Sequence, residues 1–110
     1  METLYQIVGK TLIIYLGSEL DHHNASIIKK QSDWYIINNS IQNIVFDFNN
    51  TEFMDSSGIG IIMGRYRLVE HLKGRIAVVN LKPPVERIFH ISGLYKIAKK
   101  YDSLEQAVME

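Results

Sequence analysis

The chain has 110 residues, of which 46% are hydrophobic and 22% are charged, so it is long enough for one hydrophobic core and short for two domains. It has 12 basic and 12 acidic side chains and no cysteine, which excludes disulfide frameworks, thiolate metal sites and thiol nucleophiles. The zero net charge and the lack of a long apolar run argue against nucleic-acid and membrane partners, and the absence of cysteine fits a reducing, cytoplasmic location.

Charge is distributed unevenly between the two halves of the chain. Residues 1–55 hold three Lys and seven acidic residues, a net charge of −4, whereas residues 56–110 hold nine Lys or Arg and five acidic residues, a net charge of +4. An acidic surface that faces a basic partner would produce this asymmetry. Two halves that interleave in one fold and neutralise each other are the simpler interpretation.

Three strands are predicted in the first half. β-branched and aromatic residues over 4–8 and 11–16 flank the pair Gly9-Lys10, as in two antiparallel strands joined by a tight turn. The apolar run 44–48 is typical of a buried central strand. A hairpin is therefore expected to open the fold.

A helix is predicted over residues 24–39, which lack Gly and Pro, and either Asp21 or Asn24 can cap it. Its apolar stripe is interrupted by Ser32. Trp34 and Tyr35 flank this stripe, so the helix is apolar over a wide arc. These two aromatic residues belong either to a wider buried face or to a surface for a partner.

The second half alternates helices and strands, which makes the predicted sheet mostly parallel. The expected elements are a periodic helix over 56–72 with Gly74 as its C-cap, a strand over 75–79, a helix from Pro83 to Gly93, a short strand over 95–98 and a last helix from 102 or 103. Together these elements predict one α/β domain over residues 1–110. It has a mixed, mostly parallel sheet, an N-terminal antiparallel hairpin and about four helices.

The densest candidate for a functional site is the junction Asp55-Ser56-Ser57-Gly58-Ile59-Gly60, where a loop enters the most periodic helix. The first N–H groups of a helix lack partners within the helix, and the helix dipole is positive there, so an anion or a phosphorylated hydroxyl is favoured. Two glycines in the first turns of a helix cost about 1 kcal/mol each relative to alanine. Close approach of another backbone would explain why they are there, as would tight packing behind a capping Asp-Ser-Ser.

Other chemistries suit this junction less well. Neither Ser56 nor Ser57 has glycine two residues away on both sides, as a hydrolase nucleophile would, and no histidine can be assigned as a base. The lysine of a phosphate-binding loop is missing after Gly60. Asp47 suits a receiver domain, but residues 8–10 lack the acidic pair that such a domain requires. We therefore expect no catalytic residue, no metal and no cofactor.

Several segments carry a resemblance to a known family. The junction 53–60, with Gly64-Arg65-Tyr66 behind it and Glu19-Leu20-Asp21-His22-His23 before the first helix, closely resembles the STAS-domain anti-sigma factor antagonists, above all those of the sporulation type. The likeness extends to Arg87-Ile88-Phe89 and to the segment 92–97. It covers nearly the whole chain, and the Asp-Ser-Ser-Gly core is a specific motif.

The resemblance implies a switch that binds a protein. Members of this family bind an anti-sigma factor that is also a serine kinase, and they thereby release its sigma factor. The kinase then inactivates them by phosphorylating the first serine of the pair, which maps to Ser56, and a serine phosphatase restores the hydroxyl. The partner-binding residues expected from the resemblance and the junction are Asp21, Asp55, Ser56, Ser57, Gly58 and Gly60.

Two alternatives stay open at this point. The chain departs from the sporulation pattern at Ser18, where the family usually has glycine, and at Ser32, where it has a core aliphatic residue. An antagonist that serves a stress-response sigma factor is one alternative. The other is a STAS domain that binds a small ligand.

Overall fold

The structure, a computed structural model, describes residues 2–109. In chain order its strands and helices are β1 Leu4–Val8, β2 Thr11–Tyr15, β3 Glu19–Leu20, α1 His22–Asn39, β4 Asn43–Asp47, β5 Phe53–Met54, α2 Ser56–His71, β6 Ile76–Val79, α3 Pro83–Ser92, β7 Ala98–Lys100 and α4 Leu104–Met109. A short 3₁₀ helix, Leu94–Lys96, precedes β7.

The main sheet has five strands in the order β1-β2-β4-β6-β7. β1 pairs with β2 antiparallel through the predicted two-residue turn, and every other neighbour in this sheet is parallel. The predicted fold class, a mixed and mostly parallel sheet that begins with an antiparallel hairpin and carries four helices, is confirmed. The central strands β4 and β6 are buried along almost their whole length, because helices cover both faces of the sheet.

The two faces of the sheet carry cores of unequal size. Alternate strand residues such as Leu12 and Phe46 pack under α1, α2 and α3 in the larger core. The residues between them, such as Ile13 and Val45, pack with Ala107 of α4 in the smaller one. Three helices therefore lie on one face, and α1 and α2 are neighbours there.

Two short strands were not predicted. β3 and β5 pair parallel to each other as a separate two-stranded sheet, with Glu19 opposite Phe53 and Leu20 opposite Met54. Each has two residues, too few for a periodic pattern to appear in the sequence. The pair nevertheless decides where the site lies, because α1 and α2 start directly after it.

Trp34 and Tyr35 differ in how far they are buried. The Tyr35 ring stacks on Tyr5, with centroids 4.9 Å apart and planes at 29°, and packs against the larger core. Trp34 is 60% exposed. Tyr35 therefore widens the buried face of α1, whereas Trp34 lies on the surface.

The prediction of Gly74 as the C-cap of the second helix is wrong. The C-cap is Leu72, and the residue with the left-handed backbone conformation after it is Lys73, whose φ is 60°. The N–H of Gly74 donates to the carbonyl oxygen of Val69 at 2.8 Å. Gly74 is needed for another reason: a Cβ atom there would lie 1.6 Å from the carbonyl oxygen of Gln42. The close approach of two backbones selects this glycine.

The last short strand exists, but the bounds predicted for it, 95–98, are wrong. The chain turns through Gly93, whose φ is 77°, into the 3₁₀ helix, and β7 starts only at Ala98. Tyr95 and Ile97 are apolar because they pack, partly buried, against the larger core and not because they belong to a strand. Short apolar runs cannot distinguish the two by pattern alone.

The two halves of the chain interleave. β6 of the second half lies beside β4 of the first, and ion pairs join Lys82 to Glu52 and Arg65 to Asp33 across the halves. This arrangement supports the interpretation in which the opposite charges of the halves neutralise each other. Among residues 2–109, no helix is both long and apolar enough to cross a membrane.

Candidate functional site

The candidate site is built on the N-terminus of α2. Asp55 is the N-cap: its backbone is extended, and its Oδ1 accepts a hydrogen bond from the N–H of Ser57 at 2.8 Å. The Asp55 carbonyl oxygen accepts from the N–H of Gly58 at 3.0 Å. Because a carboxylate performs the capping, neither serine hydroxyl is needed for it.

The N-terminus of α1 has the same construction. Asp21 is its N-cap, with Oδ1 accepting from the N–H of Asn24 at 3.0 Å. Asp21 follows β3 as Asp55 follows β5, and the N–H of Asp55 donates to the Leu20 carbonyl oxygen at 3.3 Å. The parallel register of β3 and β5 thus places the two capping aspartates side by side. Asp21 therefore lies next to the predicted site, which begins at Asp55.

The two serines of the junction differ in exposure. Ser56, the first residue of α2, is exposed, whereas Ser57 is half-buried and lines a groove between α1 and α2. Ser56 is therefore the more accessible of the two serines.

The glycines of α2 divide into two kinds. Gly58 is buried, and a Cβ atom there would lie 2.5 Å from Cγ of Met54 and 3.0 Å from Cδ2 of Leu20. The structure therefore gives Gly58 a role in packing against the strands β3 and β5, not a place on the surface where a partner would touch it. At Gly60 and Gly64 an added Cβ would meet nothing within 4 Å.

A groove of about 340 Å³ runs between α1 and α2. Its α1 side contributes small residues and a cation, and its α2 side contributes Ser57 and the two open glycines. The lining residues are His22, Ala25, Ser26, Lys29, Ser57, Gly60, Ile61, Gly64 and Arg65. Two predicted site residues, Ser57 and Gly60, therefore share a concave surface with residues of the first helix.

Arg65 joins the two helices beneath this groove. It is 5% exposed, and its Nη1 donates to Oγ of Ser32 at 2.8 Å and to Oδ1 of Asp33 at 2.6 Å. Ser32, where an aliphatic core residue was expected, is thus the buried acceptor for this guanidinium. Nε of Arg65 is buried and has no hydrogen-bond partner within the described part of the chain.

The pKa of Asp33 reflects this bridge. Partial burial acts to raise that pKa, but the hydrogen bonds and charges of Arg65 and then Lys29 outweigh it and hold the pKa below its ordinary value. Asp33 is therefore a carboxylate at neutral pH.

A larger cavity, of about 730 Å³, lies beside the edge strand β1 and shares no residue with the groove. Its aromatic residues are Tyr5, Tyr15, Trp34 and Tyr35. Burial, and to a lesser extent Tyr35, raise the pKa of Tyr5 to about 12. The Tyr5 hydroxyl is thus neutral, and it donates to Oε1 of Gln31 at 2.7 Å.

Asp47, the residue that suited a receiver domain in the sequence, has structural partners. Asp47 is buried, and its Oδ1 accepts from the N–H of Asn49 at 2.9 Å and from Nδ2 of Asn80 at 3.1 Å. Its carboxylate therefore organises the ends of β4 and β6. Within residues 2–109 no three His, Cys, Asp or Glu side chains come together as a metal site.

Sequence reasoning missed the α1 side of the groove, namely Ala25, Ser26 and Lys29. One signal could have found it. An apolar residue followed by Asp occurs in both Leu20-Asp21-His22 and Met54-Asp55-Ser56, immediately before the two helices. Two such units are expected to pair in register, which would have placed the first turns of both helices together.

Comparisons with known proteins agree with this construction. The family described as STAS domain matches residues 3–107. An anti-sigma F factor antagonist of Paenibacillus polymyxa is 42% identical over 99 residues, covering 90% of this chain and 85% of that protein. The solved structure of the anti-sigma factor antagonist SpoIIAA in its unphosphorylated form has a TM-score of 0.86 at 32% identity, covering 96% of this chain and 92% of that one. The phosphorylated form of SpoIIAA, a Bacillus cell fate determinant, has a TM-score of 0.77 at 31% identity, with 96% of each chain covered. This chain therefore belongs to the STAS domain family and, within it, to the anti-sigma factor antagonists.

Proposed function

We propose that this protein is an anti-sigma factor antagonist controlled by phosphorylation of Ser56. Its unphosphorylated form binds an anti-sigma factor that is also a serine kinase, and the sigma factor held by that kinase is released. The observation that carries the proposal is the exposed Ser56 hydroxyl, which is left free at the start of α2 because Asp55 caps the helix. Two forms of a similar protein, unphosphorylated and phosphorylated, have been solved, which supports a switch of this kind.

The physics of the switch depends on the position of Ser56. Phosphorylation adds about −1.5 to −2 charges and three acceptor oxygens. Within the folded domain the helix N-terminus accommodates this charge, because anions are stabilised there by about 0.3–1 kcal/mol. In an interface shaped for a neutral hydroxyl, the same charge is desolvated beside Asp55, at a cost of several kcal/mol. Phosphorylation therefore abolishes binding and leaves the fold intact.

The surface around Ser56 forms the rest of the interface. Asp21 and Asp55 lie side by side at the starts of α1 and α2, and Ser57 and Gly60 continue the surface into the groove. Gly58 supports this surface from below by making room for Met54. The protein acts in the cytoplasm as a substrate of the kinase and of a serine phosphatase. It is not an enzyme, and it uses no metal, cofactor, nucleic acid or membrane.

The test is a mixing experiment with the purified protein, ATP and the cognate anti-sigma factor kinase. Radioactive phosphate should label the protein only when the kinase is present, and labelling should map to Ser56. The variant Ser56→Ala should bind the kinase and resist labelling, whereas Ser57→Ala, which keeps the Ser56 hydroxyl, should still be labelled at Ser56.

The variant Ser56→Asp measures the switch itself. We expect a native circular dichroism spectrum and at least about tenfold weaker binding to the kinase, or about 1.4 kcal/mol. Labelling of Ser57 instead of Ser56, or parental affinity of Ser56→Asp, would contradict the mechanism.

A further inference from the structure

The two edge strands of the main sheet differ in how they are protected. β7, at one edge, has only three residues, and two of them are the exposed lysines Lys99 and Lys100. A short strand and lysine side chains are two of the devices that keep an edge from pairing with another chain. β1, at the other edge, has five residues, Leu4–Val8, with no charge, no proline and no bulge in its register with β2. β1 therefore lacks this protection and can accept another strand.

The side chains along this edge are exposed, although most of them are apolar. Leu4, Ile7 and Val8 of β1 are all exposed to solvent. Trp34 of α1 is exposed as well, and it lines the cavity beside the edge together with Leu4 and Tyr5. Apolar side chains gathered along an unpaired strand indicate an interaction surface, because burial of apolar area is the main driving force of association.

The backbone of β1 has free hydrogen-bonding groups at alternate residues. The N–H of Leu16, just after β2, donates to the carbonyl oxygen of Asp47 in β4 at 3.0 Å, so the even-numbered residues of β2 direct their backbone groups toward β4. The odd-numbered residues of β2 therefore bond to β1, where they lie opposite its even-numbered residues. This pattern leaves the N–H and carbonyl groups of Tyr5 and Ile7 directed outward, away from the sheet.

The charges at the two ends of β1 identify what fits this edge. Glu2 precedes the strand and Lys10 follows it, both are exposed, and neither has an ion-pair partner among residues 2–109. They lie more than about 20 Å apart along an extended chain, so they cannot pair with each other within one copy. A second copy that runs antiparallel and is centred on Gln6 brings Glu2 of each copy opposite Lys10 of the other. The edge is therefore complementary in charge to itself.

We propose that two copies of this chain pair through β1 about a two-fold axis at Gln6 and thereby join their five-stranded sheets into one continuous sheet. Tyr5 of each copy lies opposite Ile7 of the other, and the outward backbone groups of these two residues exchange hydrogen bonds. Leu4 of each copy lies opposite Val8 of the other, so apolar side chains meet across the seam. Such an interface is isologous, because every contact occurs twice. This pairing does not depend on the proposed function.

Reversing one charge and then both tests the pairing. Sedimentation velocity of the parent at about 0.2 mM should show a species with twice the mass of one chain. Lys10→Glu should weaken self-association at least about fivefold, because each dimer then holds two pairs of like charges. Glu2→Lys combined with Lys10→Glu in one chain should restore the parental association, since opposite charges face each other again. Lys99→Glu, the matched control on the edge strand β7, should associate as the parent does.

Hydrogen exchange followed by NMR identifies the paired surface. The N–H groups of Tyr5 and Ile7 should exchange at least about threefold more slowly at about 0.2 mM than at about 0.01 mM, and those of β7 should not change. Three results would overturn the proposal: a parent that stays monomeric at about 0.2 mM, a double charge variant that associates no better than Lys10→Glu, or slowed exchange at β7 instead of β1.

Discussion

The two units that begin the helices α1 and α2 share one local design and differ in the first residues of their helices. Each has a two-residue strand, a capping aspartate and a helix, and the strands pair in parallel register. After Asp21 come His22 and His23, and after Asp55 come Ser56 and Ser57. The aspartates provide the same capping geometry in both units, so capping does not distinguish them. Serine hydroxyls follow the aspartate in only one unit, and the groove between the units needs both.

The largest expected effect comes from removing the residue that joins the two units. Arg65→Ala should lower the free energy of unfolding by about 2–3 kcal/mol, because Ser32 loses a buried partner and the space of the side chain is left empty. Urea denaturation checks this. Arg67→Ala, an exposed arginine of the same helix, should change stability by less than about 0.5 kcal/mol, and a similar loss in both variants would show that the bridge is not the cause.

A smaller effect separates the two kinds of glycine within α2. Gly58→Ala should destabilise the protein by about 1–2 kcal/mol, since the new Cβ lies 2.5 Å from Cγ of the buried Met54. Gly60→Ala should instead stabilise it by up to about 1 kcal/mol, because nothing lies near its Cβ. Thermal unfolding of the two variants in parallel is the measurement. Shifts of the same sign would contradict the assignment of packing to one glycine and open surface to the other.

The equivalence of the two caps predicts equal losses. Asp21→Ala and Asp55→Ala should each lower the free energy of unfolding by about 1 kcal/mol, because each removes one accepting oxygen at a helix N-terminus. Asn caps a helix about as well as Asp, so Asp21→Asn and Asp55→Asn should restore most of that stability. Chemical denaturation measures all four variants. A loss confined to one of the two aspartates would break the equivalence of the units.

The smallest expected effect is the dependence of stability on pH that Asp33 contributes. Its pKa is lowered in the folded state, so the unfolded state binds more protons as the pH falls, and stability decreases with falling pH. The contribution is fully present above about pH 4, the range of an unperturbed carboxyl, and is lost as the pH falls through the lowered folded pKa. Solvent screens this half-exposed group, which limits the effect to under about 1 kcal/mol. Urea midpoints of the parent and of Asp33→Asn, measured from pH 6 downward, should converge at low pH, and a constant difference would contradict the role of its charge.

Most of the regular elements could be predicted because their signals are local. The hairpin at Gly9-Lys10, the central strand after Asn43 and the start of α2 at Ser56 each depend on residues within a few positions of one another. One of the two errors occurred where a distant segment decided. Gly74 looked like a cap, but the Gln42 carbonyl oxygen, 32 positions earlier in the chain, explains why it is glycine. The other error is local: the strand predicted over 95–98 begins only at Ala98, because the chain first turns through Gly93 into a 3₁₀ helix.

By itself, the sequence determined the fold class, the family resemblance and the half of the site that lies on one segment, from Asp55 to Gly60. These depend on periodicity, capping and a contiguous motif, all of which are local properties. Only the tertiary structure decided that Asp21 lies beside Asp55, that Ser56 is more exposed than Ser57, and that Gly60 and Gly64 face open space while Gly58 is packed. It also decided that Ser32 accepts a hydrogen bond from Arg65, 33 positions away. The physical reason is that burial and contact between the helices depend on the pairing of β3 with β5. Each of these strands has two residues, which is too few for a periodic pattern in the sequence to predict that pairing.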